Sequence, residues 1–117
     1  MAQGRVLVIG LDPARIPGYD PTPVQAAIAR GRAELDELGI EADYCLVAAD
    51  DTAEEAIVAA LTGDDYACVV IGGGLRHESQ LELFENVVNL IRRHAPGAAI
   101  AFGGAEDIAE AALRWLR

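Results

Sequence analysis

Four short runs of strand character, of which Ile40 to Ala48 alternates at first and then becomes apolar, are separated along this chain by segments whose apolar residues recur at helical spacing. The runs are Arg5 to Leu11 (RVLVIGL), Ile40 to Ala48, Tyr66 to Ile71 (YACVVI) and Ala98 to Phe102. Strands separated by helices pair in parallel, because each connection crosses over the sheet and buries its helix against one face. Such strands are covered on both sides, which is why they read as continuous apolar runs. The β-α-β-α-β-α-β-α pattern fills residues 1–117 as one domain, without internal repeat, linker or low-complexity tract. It predicts a three-layer α/β/α sandwich whose four-stranded parallel sheet has the order 2-1-3-4.

The helix boundaries rest on local chemistry. Thr22-Pro23-Val24-Gln25 reads as a capping box, Val24, Ile28, Gly31 and Leu35 follow at helical spacing, and Gly39 suits a left-handed C-terminal cap. A first helix is expected over residues 23–38. Thr52 with Glu55 and Ser79 with Glu82 repeat the box, and Pro96-Gly97 stops the third helix after His94. That third helix has a wide apolar arc, including Leu81, Phe84, Val87, Val88 and Ile91. A neighbouring helix or a second subunit must cover it. Ile108, Ala112, Trp115 and Leu116 are expected to place the last helix on the sheet. The whole pattern resembles a flavodoxin-like or Rossmann-like domain trimmed to four strands, and small bacterial proteins of that kind.

In such a sheet the chain leaves strands 1 and 3 in opposite directions, and a crevice opens at their carboxyl ends. Strand 3 runs into Gly72-Gly73-Gly74, which permits close backbone approach by a ligand, and then into Arg76, His77, Glu78 and Ser79 at a helix start. Arg76 with Arg15 would complete an anion site, and Gly103-Gly104 after strand 4 borders the same end. His77 supported by Glu78, with Asp12 facing them, is the candidate proton-transfer set. Ser79, the only serine, reads as a helix N-cap; no G-x-S-x-G surrounds it. Segment 12–22, with its prolines, is an irregular loop too long for a simple connection.

Several chemistries are removed. All nine basic residues are arginine, so Schiff-base catalysis and a P-loop lysine are excluded, and the bias points to a GC-rich bacterial origin. A net charge of -10 argues against nucleic acid. Gly72-Gly73-Gly74-Leu75-Arg76-His77 departs from the dinucleotide fingerprint at its third position, and strand 3 ends without the phosphate-accepting aspartate of a receiver domain. His77 and His94 flank a helix and lie about 25 Å apart, so they cannot share a metal. One histidine with Asp12 or Glu78 is the remaining metal reading, and no metal site is assigned. Cys45 and Cys68 fall on strands separated by strand 1, more than about 9 Å apart, and are read as core thiols in a reducing compartment. No apolar run approaches membrane-spanning length and MAQGRVLVIG lacks a secretory pattern, so a cytoplasmic protein is expected.

Two functional expectations follow. One is a small protein that binds a small anionic metabolite at the crevice between strands 1 and 3, with acid/base catalysis by His77 as an extension; no cofactor is identified. The other is a non-catalytic module that homodimerises through the apolar face of the third helix.

Overall fold

The computed structural model describes residues 4–116. Strands β1 (Arg5–Leu11), β2 (Ala42–Val47), β3 (Tyr66–Ile71) and β4 (Ala99–Phe102) form one parallel sheet in the order β2-β1-β3-β4. Helices α1 (Thr22–Glu37) and α4 (Ile108–Leu113) cover one face, and α2 (Ala53–Thr62) and α3 (Leu81–His94) cover the other. The chain steps from β1 to β2 in one direction and then back past β1 to β3. A constant crossover hand therefore puts α1 and α2 on opposite faces.

Alternation along β1 and β3 divides the core. Val6, Val8, Cys68 and Val70 face α1 and α4, whereas Leu7, Ile9, Val69 and Ile71 face α2 and α3. All eight are at most 3% exposed, and burying a large apolar side chain contributes about 1.5–3 kcal/mol. Both cysteines are free, on opposite faces, and burial pushes the Cys68 thiol up to about 11 and the Cys45 thiol upward as well. No helix of the described residues is long and apolar enough to cross a membrane.

The end of α1 follows its sequence signal. Gly39 has φ 73°, its N–H donates to Asp36 O at 3.0 Å, and Ile40 N–H donates to Leu35 O at 3.0 Å, the paired bonds of a Schellman motif. The helix starts differ from their expected capping boxes. Asp20 Oδ1 accepts from Thr22 N–H at 3.1 Å, Asp50 Oδ1 accepts from Thr52 N–H at 2.9 Å, and His77 Nδ1 accepts from Ser79 N–H at 3.1 Å. In each case an acceptor two residues earlier takes the bond, as short polar side chains do in Asx-type turns. The Ser79 side chain therefore caps nothing; a 3₁₀ turn over Glu78–Gln80 precedes α3.

Two packing expectations also change. Trp115 lies beyond the last residue of α4 and is half exposed, whereas Ile108, Ala109, Ala111, Ala112 and, past the helix end, Leu116 join the core on that face, as expected of Ile108, Ala112 and Leu116. The wide arc of α3 is covered mainly from within the chain, because α2 packs beside α3 and leaves Val87 and Ile91 with no exposed surface.

Candidate functional site

The loops after β1, β2 and β3 meet at the carboxyl end of the sheet, and backbone hydrogen bonds fix where they begin. Asp12 N–H donates to Val47 O at 2.8 Å, which extends the β1–β2 ladder by one residue. Gly72 N–H donates to Ile9 O at 2.9 Å and does the same between β3 and β1. Beyond these points the strands diverge into a proline-rich loop on one side and a glycine turn on the other. The turn closes through Arg76 N–H to Gly73 O at 3.1 Å and His77 N–H to Gly74 O at 3.4 Å. Among the described residues, the amides of Gly73 and Gly74 donate to no carbonyl or side chain. A side chain at position 74 would press on Leu11, its Cβ coming within 3.2 Å, so the absence of one keeps the two loops close.

Two cavities flank this junction. The larger, about 700 Å³, is a mixed cleft in which Asp12, Arg15, Asp50, His77, Ser79 and Gln80 stand among apolar groups such as Ile16, Pro17 and Val47, together with the Gly73–Gly74 turn. The smaller, about 240 Å³, lies toward α1 and α4 and is lined mostly by apolar groups such as Val8, Val24, Ile28 and Ile108. Leu11, Ile16, Tyr19, Gly73 and Gly74 border both, so the two spaces share a wall.

Of the residues singled out from the sequence, Asp12, Arg15, Gly73, Gly74, His77 and Ser79 come together at the larger cleft, and Gly72 borders the smaller cavity. Arg76 lines neither cavity. Its Nε donates to Ile71 O at 3.2 Å and its guanidinium lies over the Phe102 ring, 5.4 Å from the centroid, so it joins β3 to the end of β4. Glu78 lines not the cleft but an adjoining groove with Leu81 and Glu82, which shares Asp50, Ser79 and Gln80 with it. Gly103 is buried, with its N–H donating to Ile71 O at 3.2 Å, and Gly104 N–H donates to Asp107 Oδ1 at 2.6 Å. Neither of these glycines borders the two cavities.

The electrostatics of the cleft are mixed. The Asp12 carboxylate accepts from Ala14 N–H at 3.0 Å and caps the 3₁₀ turn over Pro13–Arg15. Asp50 accepts from both the hydroxyl and the N–H of Thr52, which holds its carboxyl below the usual range, with nearby Arg15 a smaller cause. His77 Nδ1 accepts from Ser79 N–H and lies 2.8 Å from Ser79 Oγ, so the neutral ring carries its proton on Nε2. That ring presents a donor, and its partner is Ser79 rather than Glu78. Among the described residues Arg15 forms no ion pair, and no group of His, Cys, Asp and Glu side chains converges to hold a metal ion.

Sequence reasoning missed Asp50, Gln80 and Tyr44. Asp50 follows β2, and its place was legible, since the carboxyl end of β2 lies beside that of β1 in the predicted order. Tyr44 gave no such signal: its hydroxyl, buried without a hydrogen-bond partner, depends on how α1 and α4 pack over β2. Compared with known proteins, the chain matches no family model, no curated protein and no solved structure.

Proposed function

We propose that this chain is a bacterial, cytoplasmic, flavodoxin-like binding protein that holds a small anionic metabolite in the cleft at the carboxyl ends of β1 and β3. One observation carries the reading: Arg15, the Nε2–H of His77 and the unbonded amides of Gly73 and Gly74 border a single cleft of about 700 Å³. Donors arranged around a concavity at a strand-order reversal form an anion site, in which charge-assisted hydrogen bonds from a guanidinium are the strongest single contribution. The carboxylates of Asp12 and Asp50 accept from Ala14 and Thr52, and Arg15, though near Asp50, forms no ion pair among the described residues. Binding is favoured over proton transfer, because His77 Nδ1 is occupied by the turn it stabilises. Isothermal titration with a panel of phosphorylated metabolites and carboxylates should find a ligand whose affinity falls about tenfold or more in Arg15→Ala. Silence across the panel from the folded protein, or equal binding by Arg15→Ala, would reject the reading.

A second reading is favoured by a different region. Leu81 is 56% and Phe102 49% exposed, and Phe84 meets Phe102 edge-to-face at 5.5 Å beside the short edge strand β4. A second copy of the chain would cover this patch. Sedimentation of Phe102→Asp tests it: wild type should run as a dimer and the variant as a monomer, and a monomeric wild type at millimolar concentration would end the idea. Val87 of α3 is wholly buried against the sheet and is no part of this patch.

A further inference from the structure

The smaller cavity is the less expected of the two, because the side chains that line it are apolar apart from two phenols, Tyr19, which is exposed, and Tyr44. Tyr44 projects from β2 toward α1 and α4, and the Arg32 guanidinium covers its ring at 4.1 Å. Its hydroxyl is buried and has no hydrogen-bond partner among the described residues. It sits 3.7 Å from where a Cβ on Gly31 would stand, beside Ala105 and Ile108, two residues that border the cavity. A buried hydroxyl left unpaired is costly, and proteins seldom leave one so without a partner from outside the chain.

Resting on the anion-binding reading above, we infer that the bound anion also carries one compact aromatic group, which enters the apolar cavity and ends in a hydrogen-bonding atom paired with Tyr44. Three features give this class. The cavity, at about 240 Å³, exceeds the roughly 150 Å³ that suffices for benzene. It is too small for a nucleotide or flavin, so the apolar part is a single substituted ring. The two spaces lie side by side across Leu11, Ile16, Tyr19 and the glycine turn, so one molecule that displaces a shared side chain such as the exposed Tyr19 can place its ring in one and its charge near Arg15 in the other. The ligand class is an aromatic carboxylate or phosphate ester with a polar atom on the far side of the ring.

Titration calorimetry with four probes separates the parts: inorganic phosphate, phenyl phosphate, phenylacetate and 4-hydroxyphenylacetate. Ring-bearing anions should bind about tenfold or more tightly than inorganic phosphate, and 4-hydroxyphenylacetate about tenfold more tightly than phenylacetate. Tyr44→Phe should erase the second preference alone. Val24→Phe, which fills the cavity from α1, should reduce the ring-bearing anions to the level of inorganic phosphate; thermal melting establishes that both variants are folded. Comparison of phenyl phosphate with phenylacetate assigns the head group. Inorganic phosphate bound as tightly as the aromatic anions, and still dependent on Arg15, would overturn this inference and leave the anion site standing. Ring-bearing anions indifferent to both Tyr44→Phe and Val24→Phe would overturn it too. No binding of any probe would reject the anion site together with it.

Discussion

The two ends of the sheet treat their polar residues in opposite ways. At the amino-terminal end, Arg5 of β1 pairs with Glu41, lies 3.0 Å from Asp43 and has its Nε 3.1 Å from Asp64, though without the alignment of a hydrogen bond there. Tyr66 of β3 donates to the same Asp43 at 2.7 Å. Each of these side chains has a protein partner. At the carboxyl end, Arg15 has none within ion-pair distance, the Gly73 and Gly74 amides donate to nothing, and the Tyr44 hydroxyl is buried alone, all among the described residues. Groups that serve folding are matched to one another, whereas groups kept for a ligand are left with unused capacity. The contrast supports the proposed site without reference to any motif.

Breaking the matched end should cost stability and leave binding intact. Asp43→Asn removes the charge that Arg5 and Tyr66 share. Because Asp43 and Arg5 are both partly exposed, the loss after solvent screening is on the order of 1 kcal/mol, about 4 °C in melting temperature, with anion affinity unchanged. An affinity change as large as the stability change would erase the distinction between the ends. Relieving the unmatched end should do the reverse. Tyr44→Phe deletes an unpaired buried hydroxyl, so it should stabilise the ligand-free protein by up to about 1 kcal/mol in urea unfolding. A destabilised variant would mean that Tyr44 already has a partner.

The smallest effect is a dependence on pH. Burial first, then the bond to Asp43, pushes the Tyr66 phenol up to about 12. Its folded pKa thus exceeds the ordinary value near 10, and the stability it contributes is complete below about pH 10 and lost as pH rises from there toward 12. Asp43 is shifted the other way, lowered by its bonds from Tyr66 and Arg5, so its contribution is present above about pH 4 and fades in acid. Unfolding curves of wild type and Tyr66→Phe should therefore differ in slope above about pH 10 and run parallel near neutrality. Parallel curves throughout would show that the amino-terminal network is not coupled to folding.

The fold was legible because it rests on patterns that act along the chain. Continuous apolar runs at β1 and β3 dictated two-sided burial, and the alternation of strands with helices pointed to a doubly wound parallel sheet, whose expected order β2-β1-β3-β4 is the one observed. Gly39 announced its left-handed cap by itself. The helix starts were misread at Thr22, Thr52 and Ser79 because a capping box and an acceptor two residues upstream compete for the same N–H, and Asp20, Asp50 and His77 lie nearer in space. The glycine turn and Arg15 could be assigned to the carboxyl end from strand ends alone. Arg76 could not be placed that way: its position depends on the Phe102 ring, which reaches it only through the pairing of β4 with β3. The apolar cavity was equally hidden, since it exists between α1, α4 and β2 and in no one of them.

The central claim is that ligand binds at the unmatched end, and a two-dimensional amide NMR titration with phenyl phosphate tests it most directly. The account predicts the largest shift changes at Arg15, Gly73, Gly74 and His77, smaller ones at Tyr44 and its neighbours on α1, and none at Arg5, Asp43 and Tyr66. Shifts centred on the amino-terminal network, or an unchanged spectrum at millimolar ligand, would contradict it.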